Sequence, residues 1–175
     1  LLARLGIPRV DDLPGFIETL KLLHLSGTLP SCNIASISCS GGEASLIADM
    51  AEGRGITFPP LNTAQTNQLA QALGPKVTLA NPLDYHTYIW TDTDAMTTAW
   101  SAMMQDPVDL TLLVVDFPRQ DRCSQEDWEC AIQAALACAK QTGRAVAMVS
   151  SLQETLPEGV ALRLMQGGVV PLSGI

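Results

Sequence analysis

The sequence predicts an α/β fold of three layers, a doubly wound and mainly parallel sheet of about five strands covered by helices. Three observations carry that expectation. Short apolar runs alternate along the chain with longer segments of helical spacing. The runs are apolar at consecutive positions, not at every second one, as strands buried on both faces must be. An apolar content of 47%, with only 16% charged and 5% aromatic residues, describes a core filled by Ala, Leu, Val and Ile. At 175 residues the length suits one domain with a short appendage.

Residues 1–31 read as a linker or helical approach segment, and 32–175 as the domain itself. A first helical stretch ends at Gly6. Asp11-Asp12-Leu13-Pro14 opens a second, with an acidic cap and a proline in its first turn, and Phe16, Ile17, Leu20, Leu23 and Leu25 mark its apolar stripe. Residues 33–38 predict the first buried strand. Ala44, Leu46, Ile47, Ala48, Met50 and Ala51 then recur at helical spacing up to the Gly53-Arg54-Gly55 stop. Ile56-Thr57-Phe58 predicts a short strand, and Asn62 or Thr63 caps a helix reaching Leu73. The apolar run Val77–Ala80 predicts another strand, running into the polar turn Asn81-Pro82-Leu83-Asp84. Thr91-Asp92 caps a helix whose inner face holds Ala95, Met96, Ala99, Trp100 and Met103. Residues 108–117 form the clearest buried strand, and a polar loop follows it. A helix from Ser124 to Gly143, a strand over 145–149, a helix over 159–165 and an edge strand over 168–172 complete the chain. Flavodoxin-like strand order fits this alternation and gathers the loops after the first, third and fourth core strands at one end of the sheet.

The formal charge of -8 argues against general nucleic-acid or anionic-membrane binding, both of which need a basic face. No apolar run reaches transmembrane length. The five cysteines (Cys32, Cys39, Cys123, Cys130, Cys138) show no C-x-x-C pair and no metal-ligand spacing. They are expected to be reduced thiols in a cytoplasmic protein that holds no metal of its own. A chain that starts at Leu1 within a helical stretch is expected to be a piece of a longer protein.

The stretch from Ser36 to Asp49 carries the strongest chemical signal. Strand, two glycines and helix point unpaired N–H groups and the positive end of a helix dipole at an anion, and glycine allows close approach. Ser40 stands at the N-cap position. The dinucleotide fingerprint is absent, since Ser45 occupies the place of the third glycine, and a nucleophile elbow is absent because Ser38 precedes Ser40. Two rival chemistries remain open on these residues. A regulatory module would hold a nucleotide or flavin phosphate at the turn, with Tyr88 and Trp90 beside the ring. A thiol enzyme would use Cys39, its pKa lowered by the helix dipole, with His86 as base.

Ser40-Gly41-Gly42-Glu43-Ala44, with Asp49 five residues on, followed by a glycine-bounded short strand and Asn81-Pro82-Leu83-Asp84, resembles the NDP-forming acyl-CoA synthetases, the group of ADP-forming acetyl-CoA synthetase and succinyl-CoA synthetase. The likeness covers residues from about 33 to the end and is to the flavodoxin-like CoA-ligase domain. It implies a reaction in which a carboxylic acid, CoA and ATP give acyl-CoA, ADP and phosphate through an acyl phosphate and a phosphohistidine. CoA and the Mg2+-bound nucleotide would be substrates of the full enzyme, and no cofactor would be tightly bound. The likeness further implies that Cys39, Ser40, Gly41, Gly42 and Glu43 form the phosphate and substrate turn. Asn81 and Asp84 belong to the second motif, and Arg119, Gln120 and Asp121 to a second loop lining the acyl site. This chain departs from the succinyl enzymes there, because Pro118, Arg119 and Gln120 stand where those have small and apolar residues. Neither His24 nor His86 matches the phosphorylated histidine, so the isolated chain is expected to be inactive. Its implied partners are a CoA-binding, a phosphohistidine-bearing and an ATP-grasp domain, together with a small carboxylic acid; a homo-oligomer is compatible with these.

Overall fold

The computed structural model describes all of residues 1–175. Five strands form one sheet in the order β2-β1-β3-β4-β5, and every pairing in it is parallel. They are β1 (Ile34–Ser38), β2 (Leu83–Asp84), β3 (Leu110–Val114), β4 (Ala145–Ser150) and β5 (Val170–Ser173). The α-helices are α1 (Leu13–Ser26), α2 (Gly41–Ala51), α3 (Thr63–Leu73), α4 (Thr93–Met103), α5 (Glu129–Thr142) and α6 (Glu158–Gln166). This is the flavodoxin-like order, and the chain reverses direction across the sheet between β1 and β3.

The two faces of the sheet are filled unequally. Ala35, Ile37, Leu113, Val146 and Met148 face a large cluster completed by Leu69, Met96, Trp100, Ala135 and Leu164 from α3, α4, α5 and α6. The opposite face gathers only Ile34, Leu110, Ala147, Val149 and Val170 as fully buried members, with Leu22, Leu25 and Leu29 packed against them. A mainly apolar groove of about 230 Å3 opens on that thinner side, between α2 residues Ile47 and Met50 and the sheet residues Leu112 and Val149. No helix is long and apolar enough to cross a membrane.

Local chemistry explains most boundaries. Asp12 accepts from the Gly15 N–H at the head of α1, Asn62 and Gln65 form a reciprocal capping box on α3, and Asp92 accepts from Ala95 N–H on α4. Gly143 closes α5 in the left-handed conformation.

Three expectations are corrected. Ile56-Thr57-Phe58 contributes one isolated bridge, Asn33 to Thr57, and no strand. Val77–Ala80 does not pair either; the strand lies at Leu83–Asp84, inside the expected turn. The reason is the Asn81 side chain, whose Oδ1 accepts from Ser36 N–H at 3.1 Å while Nδ2 donates to the Ile34 and Pro59 carbonyls at 3.0 and 3.1 Å. That amide occupies the ladder positions of β1 that a longer strand would have filled. Finally, four of the five residues of the expected α1 stripe face outward. Phe16, Ile17, Leu20 and Leu23 are all exposed, and Leu22 and Leu25 are the residues turned to the sheet. α1 is apolar on both sides, so periodicity alone could not select the buried one.

Candidate functional site at the carboxyl edge of the sheet

Parallel strands deliver their following loops to one edge, and the reversal between β1 and β3 leaves a crevice there. Ser38 ends β1 with its hydroxyl donating to the Ser40 carbonyl at 2.9 Å, which holds the turn into α2. Ser40 has the extended backbone of an N-cap (φ -139°, ψ 124°), but its hydroxyl caps nothing. The first helical bond of α2 is Ala44 N–H to the Ser40 carbonyl, and the N–H groups of Gly41, Gly42 and Glu43 donate to no protein acceptor. α1, α3 and α4 are each capped by a side chain, whereas these three donors remain open.

Asp84, ending β2, reaches the same turn. A Cβ on Gly41 would lie 3.2 Å from its Oδ2, so a side chain there is already tight. Asp84 Oδ1 accepts from the His86 N–H at 2.8 Å and Oδ2 lies 3.5 Å from His86 Nδ1. That bond holds His86 at φ 56°, a left-handed conformation uncommon for a non-glycine residue. Gly42 is roomier, since its Cβ would meet only Ser40 Oγ at 3.5 Å.

Between β1 and β3 lies a cleft of about 230 Å3 lined by Cys39, Glu43, Thr87, Trp90, Val114, Val115, Asp116 and Trp128, with no lysine or arginine among them. The two indoles meet edge to face with centroids 5.9 Å apart. Trp128 is fixed by its Nε1 donating to the Asp116 carbonyl at 2.7 Å. The Asp116 carboxylate is held in turn: Oδ1 accepts from Ser151 N–H at 2.8 Å and Thr155 Oγ1 at 2.5 Å, and Oδ2 from Ser151 Oγ at 2.5 Å. Glu43 is the opposite case. Its Oε2 is buried without a hydrogen-bond partner, and burial, then Asp116 and Asp84, push its carboxyl above the usual range.

The same causes settle the thiol. Cys39 is half-buried, and desolvation followed by the Glu43 charge raises its pKa above that of a free cysteine. The dipole expected to activate it is outweighed. His86, its expected base, is turned to Asp84 and Tyr88 instead. Tyr88 and Trp90 likewise have separate neighbours, His86 and Trp128, in place of a shared ring site.

Of the residues singled out from the sequence, Cys39, Ser40, Gly41, Gly42, Glu43 and Asp84 converge at this edge. Asn81 is consumed in bracing β1. Arg119 forms a two-pronged pair with Asp121 at 3.0 and 2.7 Å in an exposed loop, and Gln120 bonds Gln125 at 2.9 Å; none of the three lines the cleft. That reading missed Thr87 and Trp128, named Trp90 only as a neighbour of a flavin ring, and included Asp116 only as the start of the loop after the 108–117 strand. Asp116 carried a usable signal, an acid just past the end of the clearest parallel strand. Trp128 carried none, because its place depends on a tertiary bond.

No protein-family model and no curated protein sequence matches the chain. Solved structures do. PH0766 from Pyrococcus horikoshii OT3 is 16% identical and superposes with a TM-score of 0.79 over 98% of this chain and 38% of its own length. The dinucleotide forming acetyl-coenzyme A synthetase 1 of Ca. Korarchaeum cryptofilum, in its apo form, is 15% identical with a TM-score of 0.74 over 99% of this chain and 37% of its own. The same synthetase in complex with phosphate and ADP gives 0.73 at 15% identity, over 97% and 36%. The chain has the fold of one part of these proteins. It spans little more than a third of their length, and at such identity the likeness is one of fold. The flavodoxin-like fold that the resemblance implied is thus met in three dimensions.

Proposed function

We propose that this chain is a domain of an NDP-forming acyl-CoA synthetase, an acid–thiol ligase, and that the amino end of α2 holds a phosphoryl group during the reaction. The observation that carries the reading is the set of three unpartnered N–H groups at Gly41, Gly42 and Glu43, set at the carboxyl edge of a parallel sheet. Donors fixed by a helix need no reorganisation when charge arrives, and the helix dipole adds to them. The fold shared with an acetyl-CoA synthetase supports the assignment. The cleft beside Cys39 and Glu43 would take the body of the acid, with its carboxyl turned towards the Gly41 and Gly42 N–H groups. CoA, Mg2+-nucleotide and the phosphorylated histidine would be handled by other domains of the assembly: one binding CoA, one bearing the histidine and one of ATP-grasp type.

The test uses the intact polypeptide or complex that contains this domain, incubated with γ-labelled ATP. The expected outcome is an acid-labile label on a histidine outside residues 1–175. In Gly42→Val, whose circular dichroism should match the parent because Gly42 has room for a Cβ, that label should fall by about tenfold, the scale of one lost charge-assisted interaction. Absence of the label, or a label indifferent to the substitution, overturns the reading.

A further inference from the structure

The cleft is built for positive charge. Two indole rings and the Glu43 side chain line a space that contains no basic side chain, and the buried Oε2 of that carboxyl has no hydrogen-bond partner. A buried acceptor left unpaired costs free energy, so a site that keeps one is completed by what enters it. The face of an indole attracts cations, and aromatic walls with a carboxylate are the usual way proteins hold an ammonium. A metal ion does not fit these residues as the counter-charge: no group of three or more His, Cys, Asp or Glu side chains is arranged to hold one. The second carboxylate, Asp116, is already saturated by Ser151 and Thr155, which leaves Glu43 as the group awaiting a partner. A volume of about 230 Å3 lies below the range of sites for drug-sized ligands, so the occupant is small.

We propose that the cleft selects a small carboxylic acid bearing a cationic nitrogen or other onium centre, lodged against the paired Trp90 and Trp128 rings and beside the Glu43 carboxylate. A dicarboxylic acid is disfavoured by the same geometry, since its far carboxylate would meet Glu43 and Asp116 with no cation between them. The direction of the acyl end, towards the Gly41 and Gly42 N–H groups, rests on the ligase reading; the cation site does not. Glu43 belongs to the first turn of α2, so its backbone and the open N–H groups lie within one helical pitch, ~5 Å, along the helix. A cleft of this size and place suits an acid whose cation sits a few carbons from its carboxylate.

The experiment compares matched pairs on the intact protein by calorimetry and by tryptophan emission. The first pair is trimethylammonioacetate and its neutral isostere 3,3-dimethylbutanoate. The second is 4-trimethylammoniobutanoate and 5,5-dimethylhexanoate. Shape is held constant within each pair, so the ratio of affinities reads the charge. The cationic member of at least one pair should bind about tenfold tighter, equivalent to about 1.4 kcal/mol. Its binding should shift tryptophan emission, and the preference should fall to about twofold or less in Glu43→Gln and in Trp90→Leu. 4-Aminobutanoate separates a protonated amine from a quaternary centre, and tighter binding of either source supports the site. Equal affinity within both pairs, or no binding of any member, overturns it, and that arm needs no variant to fold. Histidine labelling without a preference for the cation would sink this inference alone. A preference for the cation without histidine labelling would sink the ligase reading alone.

Discussion

Glu43 is a carboxyl held where ionisation is unfavourable, and its behaviour with pH follows from the sign of its shift. Burial and the neighbouring Asp116 and Asp84 raise its pKa above the unfolded value. Below the unfolded pKa the group is protonated in both states and contributes nothing. As pH rises through the unfolded and then the folded pKa, the unfolded chain ionises more readily, and stability is lost. Glu43→Gln is therefore expected to melt higher than the parent at pH 7, with the difference closing as pH falls below about 4. A calorimetric melting series across that range checks it; a variant melting lower at neutral pH would show that Glu43 is stabilised by a partner. The penalty is characteristic of residues kept for binding and not for folding.

At the level of elements, the junction of β1 and β2 shows one amide doing the work of a strand. Asn81 bonds Ser36, Ile34 and Pro59 at once, and Ser36 and Ile34 are buried. Asn81→Ala strands those backbone groups and should destabilise the domain by about 2–3 kcal/mol, measured by urea unfolding. A loss under ~0.5 kcal/mol would mean that water or backbone readily replaces the amide. The same junction marks how far the sequence could be read. Buried strands such as 110–114 and 145–150 declared themselves by continuous apolar runs, and α3 and α4 by their caps. β2 did not, because two residues carry no periodicity and the polar Asn81 resembles a turn. The cleft was half legible. Its α2 side was written as a local motif, whereas Trp90 and Trp128 lie 38 positions apart and meet only once β1 and β3 are set side by side.

On the scale of the whole molecule, the thinner side of the sheet depends on α1 and the turn that follows it. Leu22, Leu25 and Leu29 cover Val149, Val170 and their neighbours, and Glu18 Oε2 accepts from the Ser173 N–H at 3.2 Å. Removing residues 1–31 should therefore cost more than trimming an appendage would. Three half-buried leucines contribute about 3 kcal/mol, which corresponds to a melting temperature lower by roughly 6–12 °C for a domain of this size. Melting of the shortened chain at an unchanged temperature would show that α1 is dispensable.

The bond from Ser173 to Glu18 spans 155 residues of sequence. A ribosome makes α1 well before β5, its resting place. During synthesis at about 5–20 residues per second, an apolar helix waits for many seconds with neither side covered. Contacts so distant in sequence also slow the final closure, since the loop must be gathered before anything rewards it. The segment that reads as the most peripheral is thus the one whose docking reports that the domain has been finished, and the one most exposed to chaperones until it is.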